Sequence, residues 1–417
     1  EPCERALAWL MTRDSDGDGL VEALTDSNTQ GKSSDWIDIV WASGENALVN
    51  AELYYALTLW SEREALLGDT AKAATYSTAA AKLKASFVKA TTDGGFWDAT
   101  NGWFAYWRNK DGSVHGNNLV TPVNFCAIAY GLADSTQRQR ILDTMEAKMR
   151  AENLFHWPLC FLPYAQGEGS DNTFPTYENG DIFLSWGEVA VRSYAGYNPS
   201  IAVDYVNRVL TQYRKDGLSY QRYLRNSQAG AGDDILAGNS MTVVGLFRDI
   251  YGVRPQWNRL MLDPHLTAAL DGTQLTYPLR GQTYQLTLGT ASSSASVDGF
   301  TASSPGPFAV NAASSLVSWY AGTSSQVALT IARQPLAAVT LAIQEWPLTT
   351  AGARRWSESG AASAGAAHTV SGLVAGASYT LKVDGTTVST VVADSAGTVT
   401  FTQDIGATAQ AIALEPV

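Results

Sequence analysis

The sequence is poor in charge, histidine, cysteine and long apolar runs. Asp, Glu, Lys and Arg make up only 16% of 417 residues, and the balance is acidic, with 28 Lys and Arg against 40 Asp and Glu for a net charge of -12. Phosphate binding needs a basic stripe, and none is visible, so composition argues against a nucleic-acid partner and against an anionic membrane surface. No apolar run reaches the roughly 18 residues of a bilayer-spanning helix. The opening Glu1-Pro2-Cys3-Glu4 carries neither a basic flank nor an apolar signal core, which reads as a soluble extracellular or periplasmic chain whose signal has been removed. The four His show no HxH or HxxxH spacing, and nothing suggests a catalytic transition metal. Cys3, Cys126 and Cys160 lack metal-type spacing. Two readings of the latter pair stand: a Cys126–Cys160 disulfide, or buried free thiols.

Aromatic residues are plentiful. With 45% hydrophobic residues, 13 Trp, 18 Tyr and 12 Phe, burial can offset the entropy of ordering the chain, and the length suits two or three domains. Residues 45–66 and 70–90 carry apolar positions at helical spacing, and further helices are expected at 120–132, 135–150, 184–196, 199–214 and 239–251. Paired helices joined by Gly- and aromatic-rich loops predict an α/α toroid over 1–256. From 257 the pattern turns to β-branched and aromatic alternation, as in Thr283-Tyr284-Gln285-Leu286-Thr287-Leu288. Beyond 290, Ala, Ser, Thr and Gly dominate, with strand-like segments at 325–332, 337–344, 378–383, 386–392 and 397–402. The expected architecture is therefore multidomain, the toroid followed by β-sandwich modules at 257–334 and 335–417. A flexible Ser/Thr/Ala-rich stalk is the competing reading of the last part.

Two constellations can carry chemistry. Asp14-Ser15-Asp16-Gly17-Asp18-Gly19-Leu20-Val21-Glu22 has the spacing of a calcium loop, with hard oxygen ligands at alternate positions: Asp14, Asp16, Asp18, the Leu20 carbonyl and Glu22. Its twelfth position is Thr25 instead of a bidentate Glu, so a structural calcium stands beside a plain Asp/Gly turn. No other cofactor is expected. The second constellation is Asp35-Trp36-Ile37-Asp38, followed by Gly44-Glu45-Asn46 at the start of a long helix. A Trp offers an apolar face to a sugar ring, and a nearby carboxyl can protonate a leaving oxygen. The bland alternative is a helix cap with a packed Trp.

The order of features favours the first. ALAWLMTRDSDGDGLVEA, SSDWIDIV and GENALVNAELYYAL, then Tyr177-Glu178-Asn179-Gly180, then the stretch from Gly252-Val253-Arg254-Pro255 to Gln282-Thr283-Tyr284, together resemble the six-hairpin (α/α)6 glycosidases. The likeness is strongest to the cellobiose-phosphorylase and glycogen-debranching branches, over about residues 1–288. The resemblance implies Asp38 as general acid, Trp36 lining the sugar site and Glu178 as a sugar-contacting residue. The phosphorylases' phosphate-holding His stands here as Ser185, and their Thr-Gly-Ser segment as Ala237-Gly238-Asn239-Ser240, which favours hydrolysis by water. A phosphorylase and a non-catalytic carbohydrate-binding protein are the alternatives.

Inversion needs a second carboxylate as base, roughly 6.5–9.5 Å from the acid, with water between. Glu178 leads, ahead of Glu168, Asp181 and Glu188. Asp35 and Glu45 are expected near the sugar, with walls from Trp41, Trp97, Trp103 and Trp107, and from Tyr177 and Trp186. His115 and His156 are candidate donors to hydroxyls. The D-W-x-D loop comes early for this family, and about eight helical segments stand where a closed ring needs about twelve. Two readings stand: a further N-terminal polypeptide completes the barrel, or the barrel is incomplete, and intact-mass analysis of purified material would reveal a second polypeptide.

Overall fold

The computed structural model describes residues 2–170, 173–233, 237–323, 326–349, 351–361 and 363–417. The chain divides into two compact units, Glu1–Leu246 and Phe247–Val417. Among the described residues no helix is long and apolar enough to cross a membrane.

The first unit is helical: α1 (Pro2–Met11), α2 (Ala47–Leu66), α3 (Thr70–Phe87), α4 (Thr121–Ala129), α5 (Ser135–Glu152), α6 (Gly187–Ala195), α7 (Pro199–Asp216) and the short α8 (Met241–Gly245). Local chemistry sets their ends. Asn46 caps α2 by accepting from the Leu48 and Val49 amides, and Asp69 caps α3 through the Lys72 amide. Asp134 and Gln137 form a capping box at the start of α5, which stops at Asn153 in the left-handed conformation. Pro199 sits in the first turn of α7, and Gly217 ends it.

Helices α2, α4 and α6 pack side by side, with α3 behind α2 and α7 behind α6. Tyr205 on α7 donates to Glu146 Oε2 on α5 at 3.0 Å, which joins the rear row. Three helical hairpins in two rows are thus described, half the number in a six-hairpin ring. Two-residue strands Glu45–Asn46, Trp107–Arg108 and Val114–His115 make a small sheet at the head of α2. Cys126 and Cys160 are buried free thiols, and burial pushes both thiols up.

The second unit is all β. A nine-stranded sheet runs from Thr273–Leu279 to Thr386–Val392, and a seven-stranded sheet from Val399–Ile405 to Val253–Gln256. Their inward side chains, including Leu286, Leu341 and Trp356 from one sheet and Val310, Ile331 and Val370 from the other, form one continuous core. The partition differs from the expected one in two respects. The boundary falls after Leu246, ten residues before 256, and strands from either side of 335 share both sheets. Phe300–Ser304 pairs in parallel with Val339–Glu345, and Ala328–Ala332 pairs with Ser363–Val370.

Candidate active site

The D-W-x-D loop is anchored by its first carboxylate. Asp35 Oδ1 accepts from the Ile37 amide at 2.9 Å, and Oδ2 accepts from Asn46 Nδ2 and the Tyr106 hydroxyl, each at 2.7 Å. Asn46 therefore docks the loop with one end of its amide and caps α2 with the other. Burial raises the Asp35 carboxyl, and these hydrogen bonds oppose the shift. With both oxygens engaged, Asp35 anchors the loop. Ile37 is buried beneath it, which turns Asp38 out to solvent.

Glu178 meets this loop from the other side. It occupies a tight turn closed by paired hydrogen bonds between Thr176 and Asn179, each 3.1 Å, with Tyr177 at φ +54°. Gly180 follows at φ +117°, where a Cβ would stand 2.8 Å from the Phe174 ring, so only glycine fits. Glu178 is 2% exposed. Its Oε2 accepts from the Ile39 amide at 3.1 Å, which brings it to the residue next to Asp38. Burial, then the neighbouring Asp38 charge, push Glu178 up to about 8 against the opposing Ile39 amide. The spacing argument expected acid and base on opposite sides of a water; Glu178 is held to the D-W-x-D loop itself, on the same side as Asp38.

Around the pair, Trp36 is 45% exposed and stacks on Trp186 at 5.0 Å and 17°. Tyr177 is half-buried, its pKa raised by burial and by the Glu178 and Asp38 charges. Trp41 and Trp97 are half-buried. Trp103 and Trp107 are not walls: both are buried, their ring N–H groups donating to Asn117 and Asn109. His156 is buried too, lodged between the Trp157 carbonyl and the Thr242 hydroxyl, and burial holds it at about 3, hence neutral.

Two of the other base candidates have structural duties. Glu168 accepts from the Gly116 and Ala165 amides and pairs with His115 at 3.1 Å. Asp181 is fully buried and ion-paired to Arg222 at 2.9 Å. Glu188 is half-buried on α6. Sequence reasoning missed Asn46, Tyr106, Gln221 and Arg222. Asn46 carried a signal, as an Asn directly before a helical pattern, whereas the other three are joined to the loops only by the fold.

A different set of residues lines a cleft of about 630 Å³, including Asp16, Asp18, Glu22, Glu45 and Arg108. Glu45, expected at the sugar, belongs here, 3.8 Å from Arg108 Nε. Burial, then the Asp18 charge, push it to about 7, with Arg108 opposing. Asp14, Asp16 and Asp18 bring one carboxylate oxygen each within 4.8 Å of one another, a spacing that fits a hard cation. Glu22 is turned to the Ser15 amide and hydroxyl, and the buried Leu20 donates its amide to Asp18 Oδ1 at 2.7 Å.

Ser185 and Gly238 meet: a Cβ on Gly238 would lie 2.7 Å from Ser185 Cβ, and the Ser185 hydroxyl is buried with no hydrogen-bond partner among the described residues.

No family model and no curated protein matches the chain. Among solved structures it is similar to a sialidase, at 15% identity and TM-score 0.49 over 69% of this chain and 27% of that one. It is also similar to a GH63 mannosylglycerate hydrolase from Thermus thermophilus in complex with glucose, at 15% identity and TM-score 0.44 over 58% of this chain and 66% of that one. A GH78 family rhamnosidase of Bacillus sp. GL1 matches at 12% identity and TM-score 0.44 over 72% of this chain and 28% of that one. All three are glycoside hydrolases, and the chain spans less than two thirds of the length of each.

Proposed function

We propose that this protein is a glycoside hydrolase in which Asp38 and Glu178 act on the leaving-group side of the scissile bond. The observation that carries the reading is the placement of the two carboxyls: the Ile39 amide holds the buried Glu178 beside the exposed Asp38, and burial pushes Glu178 to about 8. At neutral pH such a pair holds a proton, as an acid catalyst must, next to a carboxyl that reaches solvent. The proton passes from Glu178 through Asp38 to the glycosidic oxygen, and the C–O bond breaks with its electron pair going to that oxygen. Water adds to the anomeric carbon and gives up its proton to a base across the sugar, with inversion. In this proposal the opposite wall, base included, comes from hairpins beyond the three described. Trp36, stacked on Trp186, is the sugar platform, and the substrate is an oligo- or polysaccharide. The reading assigns Glu178 to the acid side instead of the base role that the spacing argument gave it.

The pH profile separates the two roles. A proton donor with Glu178 at about 8 is present below that value and lost above it, so activity on a glycoside should fall as pH rises through 8. A base at the same position would make activity rise there. Asp38→Asn and Glu178→Gln should each cut turnover of alkyl glycosides by roughly 10²–10⁴-fold. Both should lose far less on nitrophenyl glycosides, whose leaving group needs no proton. Equal losses on the two substrate types would remove the acid assignment, and phosphate-dependent release of a sugar phosphate would replace hydrolysis with phosphorolysis.

A further inference from the structure

Glu178 sits on a turn that is gripped from behind. Tyr177, the residue before it, holds a left-handed backbone that favours glycine, and something must keep it there. Asp181 Oδ2 accepts from the Tyr177 amide at 2.7 Å and from Arg222 Nε at 2.9 Å, while Oδ1 accepts from the Arg225 amide at 3.1 Å. The Arg222 guanidinium lies 5.1 Å over the Tyr177 ring, and its Nη1 donates to Gln221 Oε1 at 3.2 Å. The backbone and the ring of Tyr177 are thus both tied to one ion pair. Register is fixed next door, where Ile182 and Tyr223 exchange two backbone hydrogen bonds of 2.9 Å.

We propose that Asp181 and Arg222 are positioning residues for Glu178, setting the Tyr177–Glu178 turn so that the Glu178 carboxyl is held on the Ile39 amide, beside Asp38. Asp181 is fully buried and touches no substrate; it acts through the turn. Its charge is tolerated in the interior because Arg222 and two amides answer it. The inference rests on the acid-pair reading for its catalytic meaning but not for its physical test.

Loosening the grip frees Tyr177 to leave the left-handed region, and Glu178 then withdraws from Asp38 and meets water. Its carboxyl should titrate closer to an ordinary glutamate. The test is ¹³C-carboxyl NMR on protein labelled at glutamate Cδ, followed against pH, with Glu178→Gln assigning the signal. The wild type is expected to show this carboxyl titrating near 8. In Asp181→Asn and in Arg222→Gln the midpoint should move down by about one unit or more. On any glycoside that the wild type cleaves, kcat should fall at least about tenfold with KM within about threefold, because the reacting groups and not the sugar contacts have moved. Arg222→Lys, which keeps the charge, should shift the midpoint less than Arg222→Gln.

An unchanged midpoint in both variants, with wild-type circular dichroism and melting, overturns the proposal, whatever happens to turnover. Should Asp181→Asn not fold, the two Arg222 variants carry the decision, and a wild-type midpoint in Arg222→Gln overturns it. A protein that cleaves no glycoside yet shows the shift keeps the positioning role and loses the hydrolase reading.

Discussion

Which aromatic and acidic side chains reach the surface was the least legible property of the sequence. Trp36 and Trp107 look alike as residue types in Gly- and Asp-rich surroundings, yet one is 45% exposed and the other fully buried. Trp107 lies in the middle strand of a small sheet, between His115 on a local hairpin and Asn46 far back in the chain, and the second pairing is one that no local pattern announces. The same holds for carboxylates. Asp35 and Asp38 stand three apart, and only the Asn46 and Tyr106 contacts decide that Asp35 anchors while Asp38 faces outward. The calcium loop was legible as spacing, and the fold keeps Asp14, Asp16 and Asp18 together. Lys82 pairs with one of them, 3.1 Å from Asp14 Oδ2, while Asp14 Oδ1 is buried without a hydrogen-bond partner among the described residues. Calcium at a hundred times its dissociation constant adds about 2.7 kcal/mol to the folded state. We therefore expect a melting temperature several degrees higher in calcium than in chelator, abolished by Asp16→Ala. Coincident melting curves would leave an Asp/Gly turn and no metal.

Among elements, helices were read better than strands. The 70–90 pattern corresponds to Thr70–Phe87 and the 199–214 pattern to Pro199–Asp216, because amphipathic spacing and capping residues are local. Strands at Arg354–Gly360, Ser363–Val370 and Gln410–Pro416 escaped notice. Their small or charged residues carry weak strand preference, and they are strands because partners on either side complete the ladder. One of them hides a polar contact. Glu358, on the nine-stranded sheet, meets His368, on the seven-stranded sheet, through Oε2 and Nε2 at 3.0 Å, and neither side chain is exposed. His368 Nδ1 faces the Ala366 carbonyl at 2.9 Å and so carries a hydrogen, while Glu358 Oε2 also accepts from Trp356 Nε1 at 2.7 Å. One further proton must lie between Nε2 and Oε2, since bare lone pairs would otherwise oppose each other. A glutamine cannot reproduce the pattern, because both contacts fall on the one atom Oε2: an amide oxygen there accepts from Trp356 but needs Nε2 to donate, which takes the hydrogen from the Nδ1 that faces the Ala366 carbonyl. Glu358→Gln should therefore lose roughly 1–3 kcal/mol in denaturant unfolding, and Glu358→Ala roughly 3–5 kcal/mol, as when a buried pair is broken. Wild-type stability in Glu358→Gln would show that the shared proton contributes nothing.

At the scale of the whole molecule, the composition shift marked the change from helix to strand, but it could not show how the strands combine. Gln334-Pro335-Leu336 reads as a linker, with Leu336 59% exposed at φ +60°, and a module boundary there was the natural expectation. Long-range pairing overrides it. After this turn the chain places Val339–Glu345 alongside Phe300–Ser304 in parallel, then crosses to the other sheet so that Ser363–Val370 completes Ala328–Ala332. Cutting at 334 would leave the earlier strands with open edges and would expose Phe300, Leu329 and Ile331, which are fully buried in the shared core. An isolated half has neither a closed core nor a covered sheet edge. Residues 253–416 should therefore unfold in a single transition, with amide-exchange protection lost together on both sides of 335 in denaturant. A chain ending at 334 should show no cooperative melting of strands 253–332. Two separable transitions, one on each side of 335, would restore the reading of two modules.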